Sequence, residues 1–124
     1  MRRLHARLKL AVLSNMSVAT QTALKKHSRL PFDRLLSAEA AKTYKPNRAV
    51  YESAVRRLRI KPECIMMVAA HPPDLDAAQA CGFRTAYVKR PWESGRRDTA
   101  DHASTTQFDI TASSMEDLAT RLGL

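Results

Sequence analysis

The chain has 124 residues, a net charge of +9, 44% apolar residues and 6% aromatics. That length suits one domain, and no apolar run approaches the roughly 18 residues of a membrane-crossing helix. The basic start, Met1-Arg2-Arg3-Leu4-His5-Ala6-Arg7, is not followed by the apolar core of a signal peptide, so a cytoplasmic protein with no membrane partner is expected.

The positive charge permits nucleic-acid binding. It is dispersed, however, over Arg2, Arg3, Arg7 and Lys9, then Arg56, Arg57, Arg59 and Lys61, then Lys89, Arg90, Arg96 and Arg97. With so few aromatics there is no stacking platform, and nucleic acid is not the expected partner. Cys64 and Cys81 read as reduced, packed thiols. His5, His27, His71 and His102 lack metal-ligand spacing.

In chain order, Leu8 to Leu13 is an apolar run closed by Ser14-Asn15, a buried strand with polar side chains at its C-terminal tip. Val18 to Lys26 has helical character, with Ala19, Ala23 and Leu24 on one face. Arg34 to Ser37 is a weaker strand. Pro46 suits the first turn of a helix, along which Val50, Ala54 and Leu58 recur with Val55 beside them. Ile65 to Ala70 is apolar on both faces, as in a covered parallel sheet. Asp74 to Cys81 reads as a helix stopped by Gly82, and Thr85 to Val88 as a strand. Pro91 to Gln107 is a polar loop and Phe108 to Thr111 a last strand. Ser113-Ser114-Met115-Glu116 offers a capping box for a helix lined by Leu118, Ala119 and Leu122.

Such alternation predicts an α/β fold, a doubly wound parallel sheet, whose ligands bind beyond the C-terminal strand ends. Ser14-Asn15 and His71 to Asp74 fall at such ends, and Lys45 precedes a helix on the same rim. Ser14 and Asn15 can donate to an anion, helped by N–H groups of the following helix, or can simply cap that helix. Lys45 offers a fixed positive charge or a solvated one. Asp74 is a partner for Lys45 or the N-cap of its own helix.

The segments Leu13-Ser14-Asn15, Tyr44-Lys45-Pro46 and Met66-Met67-Val68-Ala69-Ala70-His71-Pro72-Pro73-Asp74-Leu75 resemble the haloacid dehalogenase superfamily. Ser14 falls on its hydroxyl motif, Lys45 on its lysine motif and Asp74 on its acidic motif. Ser14-Asn15, the Lys45 to Tyr51 spacing and Val68 to His71 running into Asp74-Leu75 look like the 2-haloacid dehalogenase (type II) branch, over about residues 8 to 124. The resemblance implies a Rossmann-like core in which a carboxylate attacks the halogen-bearing carbon and water cleaves the resulting ester. It gives Ser14, Lys45 and Asp74 catalytic parts, and Ser14, Asn15, Tyr51 and His71 contact with a small 2-haloacid. No metal or cofactor is implied, and relatives of this kind are often homodimers.

Some residues depart from the pattern. Met16 stands where the branch commonly has glycine, so an altered turn is expected. Pro72 and Pro73 are unusual in the acidic motif and should stiffen its loop. A magnesium-dependent phosphatase of the superfamily would place a second acid four residues before Asp74, where this chain has Ala70. Phosphatase-like chemistry is therefore the lesser alternative, and a non-catalytic basic binding protein another. The resemblance also implies a nucleophilic aspartate on a strand upstream of Ser14, followed by a cap domain. The first aspartate is Asp33. Residues 1–124 therefore read as a single partial core domain, truncated, without the nucleophile strand and cap, and inactive unless a companion chain supplies them. Loss of that central strand is expected either to open a gap or to make the strands ending at Ser14 and Ala70 pair directly.

Overall fold

The computed structural model describes residues 1–93 and 107–124, so most of the loop expected over Pro91 to Gln107 lies outside the described residues. The chain divides into two compact units, Met1–Ile60 with Leu124, and Lys61–Gly123. Both contain strands and helices, and every strand pairing among the described residues is parallel, which gives the expected α/β class.

The first unit begins with α1 (Arg2–His5), a basic turn that hydropathy did not single out. It buries Leu4. β1 (Ala11–Ser14) and β2 (Arg34–Ser37) form a two-stranded parallel sheet in which Ser14 is opposite Ser37. Both strand ends therefore open onto one rim. Between them runs α2 (Val18–Ser28), whose N-cap is Ser17, with its Oγ accepting from the Thr20 amide. The expected apolar face of α2 is not buried: Leu24 is 50% exposed, and Gln21 is the buried residue of the helix. A 3-10 turn, Ala38–Ala41, follows β2.

α3 (Arg48–Leu58) carries the amphipathic pattern read from the sequence, with Val50, Tyr51, Ser53 and Ala54 buried. Asn47 is its N-cap, accepting from the Ala49 amide. Pro46 thus precedes the cap instead of occupying the first helical turn. The lone asparagine oxygen explains this: it supplies the acceptor an exposed helix start needs. α2 and α3 end in left-handed arginines, Arg29 (φ 53°) and Arg59 (φ 56°), where glycine is the usual choice.

In the second unit, β3 (Met66–Ala69), β4 (Arg84–Val88) and β5 (Ile110–Ala112) form a three-stranded parallel sheet ordered β3-β4-β5. β3 was expected to be covered on both faces. Met67 is buried, but Val68 is 37% exposed. α4 (Pro72–Ala80) starts two residues before the expected Asp74, with both prolines in its first turn. Proline is at home there because its missing N–H has no intrahelical partner. The prolines therefore belong to the helix start and not to a stiffened loop. Gly82 stops α4 with φ +89°.

α5 (Met115–Arg121) is capped by Ser114, whose Oγ accepts from the Asp117 amide. The returning carboxylate is that of Asp117, not Glu116, and it receives the Ser113 amide at 2.9 Å. Ala86, Val88, Ala112 and Leu118 form a buried cluster, with Met66, Ile110, Met115 and Leu122 packed against it.

The five strands among the described residues form two sheets, in which β1 has β2 as its strand partner and β3 has β4. Among the described residues, no helix is long and apolar enough to cross a membrane.

Two predictions follow from these packing and capping arrangements. Leu118 is 1% exposed at the centre of its cluster, so Leu118→Ala should cost about 2–5 kcal/mol in urea unfolding. The Asp33 carboxylate accepts from the Leu10 amide at 2.8 Å and lies 3.4 Å from the His5 ring. The amide bond, aided by His5 and Lys9, holds its carboxyl below the ordinary value. A folded pKa below the unfolded one stabilises the fold above the ordinary carboxyl range, and that share is lost as pH falls through the lowered value. Urea midpoints measured down to pH 2 should therefore fall less steeply for Asp33→Asn than for the parent, from a lower starting midpoint.

Candidate active site

The rim formed by the ends of β1 and β2 carries the residues singled out from the first half of the chain. Ser14 is the last residue of β1 and is half-buried; Asn15 follows and is exposed. Neither caps α2, because Ser17 does. Ser14 Oγ instead accepts from the Met16 amide at 3.1 Å. Asn15 Oδ1 accepts from the Lys45 amide at 2.7 Å, across 30 residues of sequence. The structure thus brings Ser14, Asn15 and the Lys45 backbone together, as their placement on one rim led us to expect.

This arrangement decides what the two side chains have left to offer. A serine hydroxyl can donate one hydrogen and accept; an asparagine side chain has one oxygen acceptor and an NH2 donor group. Here a backbone N–H is seated on each side-chain oxygen. Each oxygen keeps one further acceptor site, and the Ser14 O–H and the Asn15 Nδ2–H groups are the donors the pair can offer. Adjacent donors suit an anionic ligand such as a carboxylate.

The help expected from the α2 N-terminus is partly pre-empted. The Val18 amide donates to Glu39 Oε2 at 3.3 Å, so a protein carboxylate already sits at that helix end. Met16, standing where glycine was expected, has no left-handed backbone. The turn closes without the conformation that would favour glycine.

Tyr51 lies in the first half of α3 and is 0% exposed. Lys45 is half-buried, immediately before a cis Lys45–Pro46 bond.

In the second unit, His71 is the N-cap residue of α4 without a side-chain capping bond. Its Nε2 lies 2.8 Å from Glu93 Oε2, and Arg90 lies 3.6 Å from the other Glu93 oxygen. Asp74 is in the first turn of α4, not at its N-cap. There the helix dipole favours a negative charge. Ala70 occupies the position four residues earlier. Glu93 was not singled out from the sequence: it lies in a polar loop, 22 residues from His71, where no periodicity marks it.

A family model described as a haloacid dehalogenase-like hydrolase matches residues 1–82. The chain belongs to the haloacid dehalogenase-like hydrolases. It is 38% identical over 85 residues to an (S)-2-haloacid dehalogenase from Pseudomonas sp. (strain YL), a match covering 67% of this chain and 37% of that protein. It is 32% identical over 85 residues to haloacetate dehalogenase H-2 from Moraxella sp. (strain B), covering 67% of this chain and 38% of that one. Among solved structures, an L-2-haloacid dehalogenase is similar with TM-score 0.92 and 40% identity, over 98% of this chain and 54% of that chain. A defluorinating L-2-haloacid dehalogenase is similar with TM-score 0.91 and 32% identity, over 99% of this chain and 50% of that chain. The chain therefore spans less than half the length of these curated relatives and about half that of the solved structures. The recognised superfamily and its 2-haloacid dehalogenase branch are both supported.

If Asn15 Oδ1 fixes the segment before α3, removing it should release that segment first. Asn15→Ala should weaken the Lys45 amide's protection by the equivalent of about 1 kcal/mol, read as faster hydrogen exchange at Lys45. Asn15→Asp, which keeps an acceptor oxygen, should retain most of the protection.

Proposed function

We propose that this chain supplies the substrate-orienting and charge-balancing side of a 2-haloacid dehalogenase active site. The observation that carries the reading is the donor pair at Ser14 and Asn15, whose oxygens are each held by a backbone amide. Its neighbour in the structure is the lysine whose amide Asn15 receives. The family membership and the named activities of the relatives support the same chemistry.

In this reading the two compact units are halves of one partial core domain. Ser14 and Asn15 hold the carboxylate of a small 2-haloacid. A nucleophilic carboxylate, from polypeptide outside residues 1–124, attacks C2 with its oxygen. The new C–O bond replaces the carbon–halogen bond, and halide leaves with the bonding pair. Water then adds to the ester carbonyl, returning the carboxylate and releasing the 2-hydroxy acid and a proton. Lys45 holds the nucleophile ionised, because a nearby cation lowers a carboxyl pKa. Asp74 places the water, and His71 contacts substrate or water.

Tyr51 has no accessible surface. It contributes to the packed wall, and contact with substrate requires the residues over it to move. The reaction needs no metal, since halide is a good leaving group. In this reading the protein works in the cytoplasm.

The test is complementation. Residues 1–124 are mixed with the preceding N-terminal portion of an (S)-2-haloacid dehalogenase, and halide release from 2-chloropropionate is measured. The pair should release halide and either chain alone should not. Lys45→Met should lower kcat by about 100-fold or more. Ser14→Ala should raise KM about tenfold or more, the cost of one hydrogen bond to a charged group. Undiminished turnover in Lys45→Met, or release by residues 1–124 alone, would sink the reading.

A further inference from the structure

Gln21 is the buried residue of α2, at 3% exposure. A surface helix ordinarily buries apolar side chains on its inward face, yet here the inward side chain is an amide. Its Nε2 donates to the Met16 carbonyl at 3.0 Å and to the Leu36 carbonyl at 2.9 Å. Turning the amide over would set its oxygen against two carbonyls, so the orientation is fixed by its partners. Its Oε1 is buried without a hydrogen-bond partner among the described residues. An unsatisfied buried oxygen costs free energy that a leucine there would avoid. Filling space therefore does not account for the amide; the two hydrogen bonds it donates do.

Ser37 makes the complementary contact. It is also 3% exposed. Its hydroxyl donates to the same Met16 carbonyl at 2.8 Å and accepts from the Glu39 amide at 3.1 Å. Two buried donors from separate elements thus grip one carbonyl. On the other side of the same residue, the Met16 amide is seated on Ser14 Oγ. The turn Ser14-Asn15-Met16-Ser17 contains no glycine, and it is held at both ends of its third residue.

We infer that Gln21 and Ser37 are positioning residues, a buried clamp on the Met16 carbonyl that fixes the Ser14–Asn15 turn for an anionic substrate. The inference rests on the proposed role of that turn. Neither residue touches the ligand. They act by keeping Asn15 Oδ1 on the Lys45 amide and Ser14 Oγ on the Met16 amide, so that the Ser14 O–H and the Asn15 NH2 are held in place for the ligand.

The experiment uses isotope-labelled residues 1–124 and the variants Gln21→Leu, Ser37→Ala and the double, with Gln21→Met as a second substitution of similar length should leucine not fold. Hydrogen exchange is read at the Met16 and Lys45 amides. Binding of 2-chloropropionate is read from shifts of the Ser14 and Asn15 amides. Each single variant should speed exchange at Met16 and Lys45 about fivefold, the equivalent of one hydrogen bond, and weaken binding in parallel. The double should exceed the product of the singles, because each single leaves one donor on the shared carbonyl. Exchange at Ala54 and Val55, inside α3, should be unchanged.

Equal exchange and equal binding in parent and variants would overturn the clamp. So would a uniform acceleration that includes Ala54 and Val55, since that would mark simple destabilisation of the unit. Absence of any shift in the parent protein would instead overturn the anion reading of the turn, while the exchange arm still decides whether the clamp exists.

Discussion

The hydrogen bond from the Lys45 amide to Asn15 Oδ1 is the contact on which the first unit's rim depends. It joins the tip of β1 to the segment leading into α3, two places separated by 30 residues. Without it, the loop after β1 and the loop before α3 would be independently hydrated. With it, a side-chain oxygen is spent on structure and a side-chain NH2 is kept for function. Ser14 divides its hydroxyl in the same way. The site's polarity is thus set by bookkeeping within the turn, before any charged side chain is considered.

Much of this was legible in the sequence because strand tips announce themselves. The change from Leu13 to Ser14-Asn15 marked the end of β1, and Arg34 to Ser37 was read with the bounds the structure shows. The α3 pattern at Val50 and Ala54 was legible because an amphipathic helix repeats its signal along several turns. Other features carry no local signal. The burial of Gln21 is a tertiary fact: its partners include a carbonyl on a strand 15 residues away. The pairing of His71 with Glu93 joins a strand end to a loop that hydropathy describes only as polar. α1 is too short to show periodicity, and it is stabilised by Leu4 burial and by the His5–Asp33 contact.

Where local chemistry and tertiary packing disagreed, capping or packing geometry explains the outcome. Pro46 gave way to Asn47 because a side-chain acceptor is what a helix start lacks. Pro72 and Pro73 entered α4 because the first turn has no use for their missing donors. The apolar face anticipated for α2 remained at the surface, with Leu24 half exposed, because the helix turns its amide inward. In the second unit, Asp117 rather than Glu116 closes the cap of α5, since its oxygen reaches back to the Ser113 amide.

The division of the five described strands into two sheets also has a consequence for how the polypeptide behaves in company. Among the described residues, the pair and the triplet each end in edge strands. A strand without a neighbour presents a row of backbone donors and acceptors that will accept any extended chain of suitable register. The strands here are short, three to five residues each, which limits the length of the template each edge offers. Brevity of the strands is one feature of this fold that restrains indiscriminate self-association.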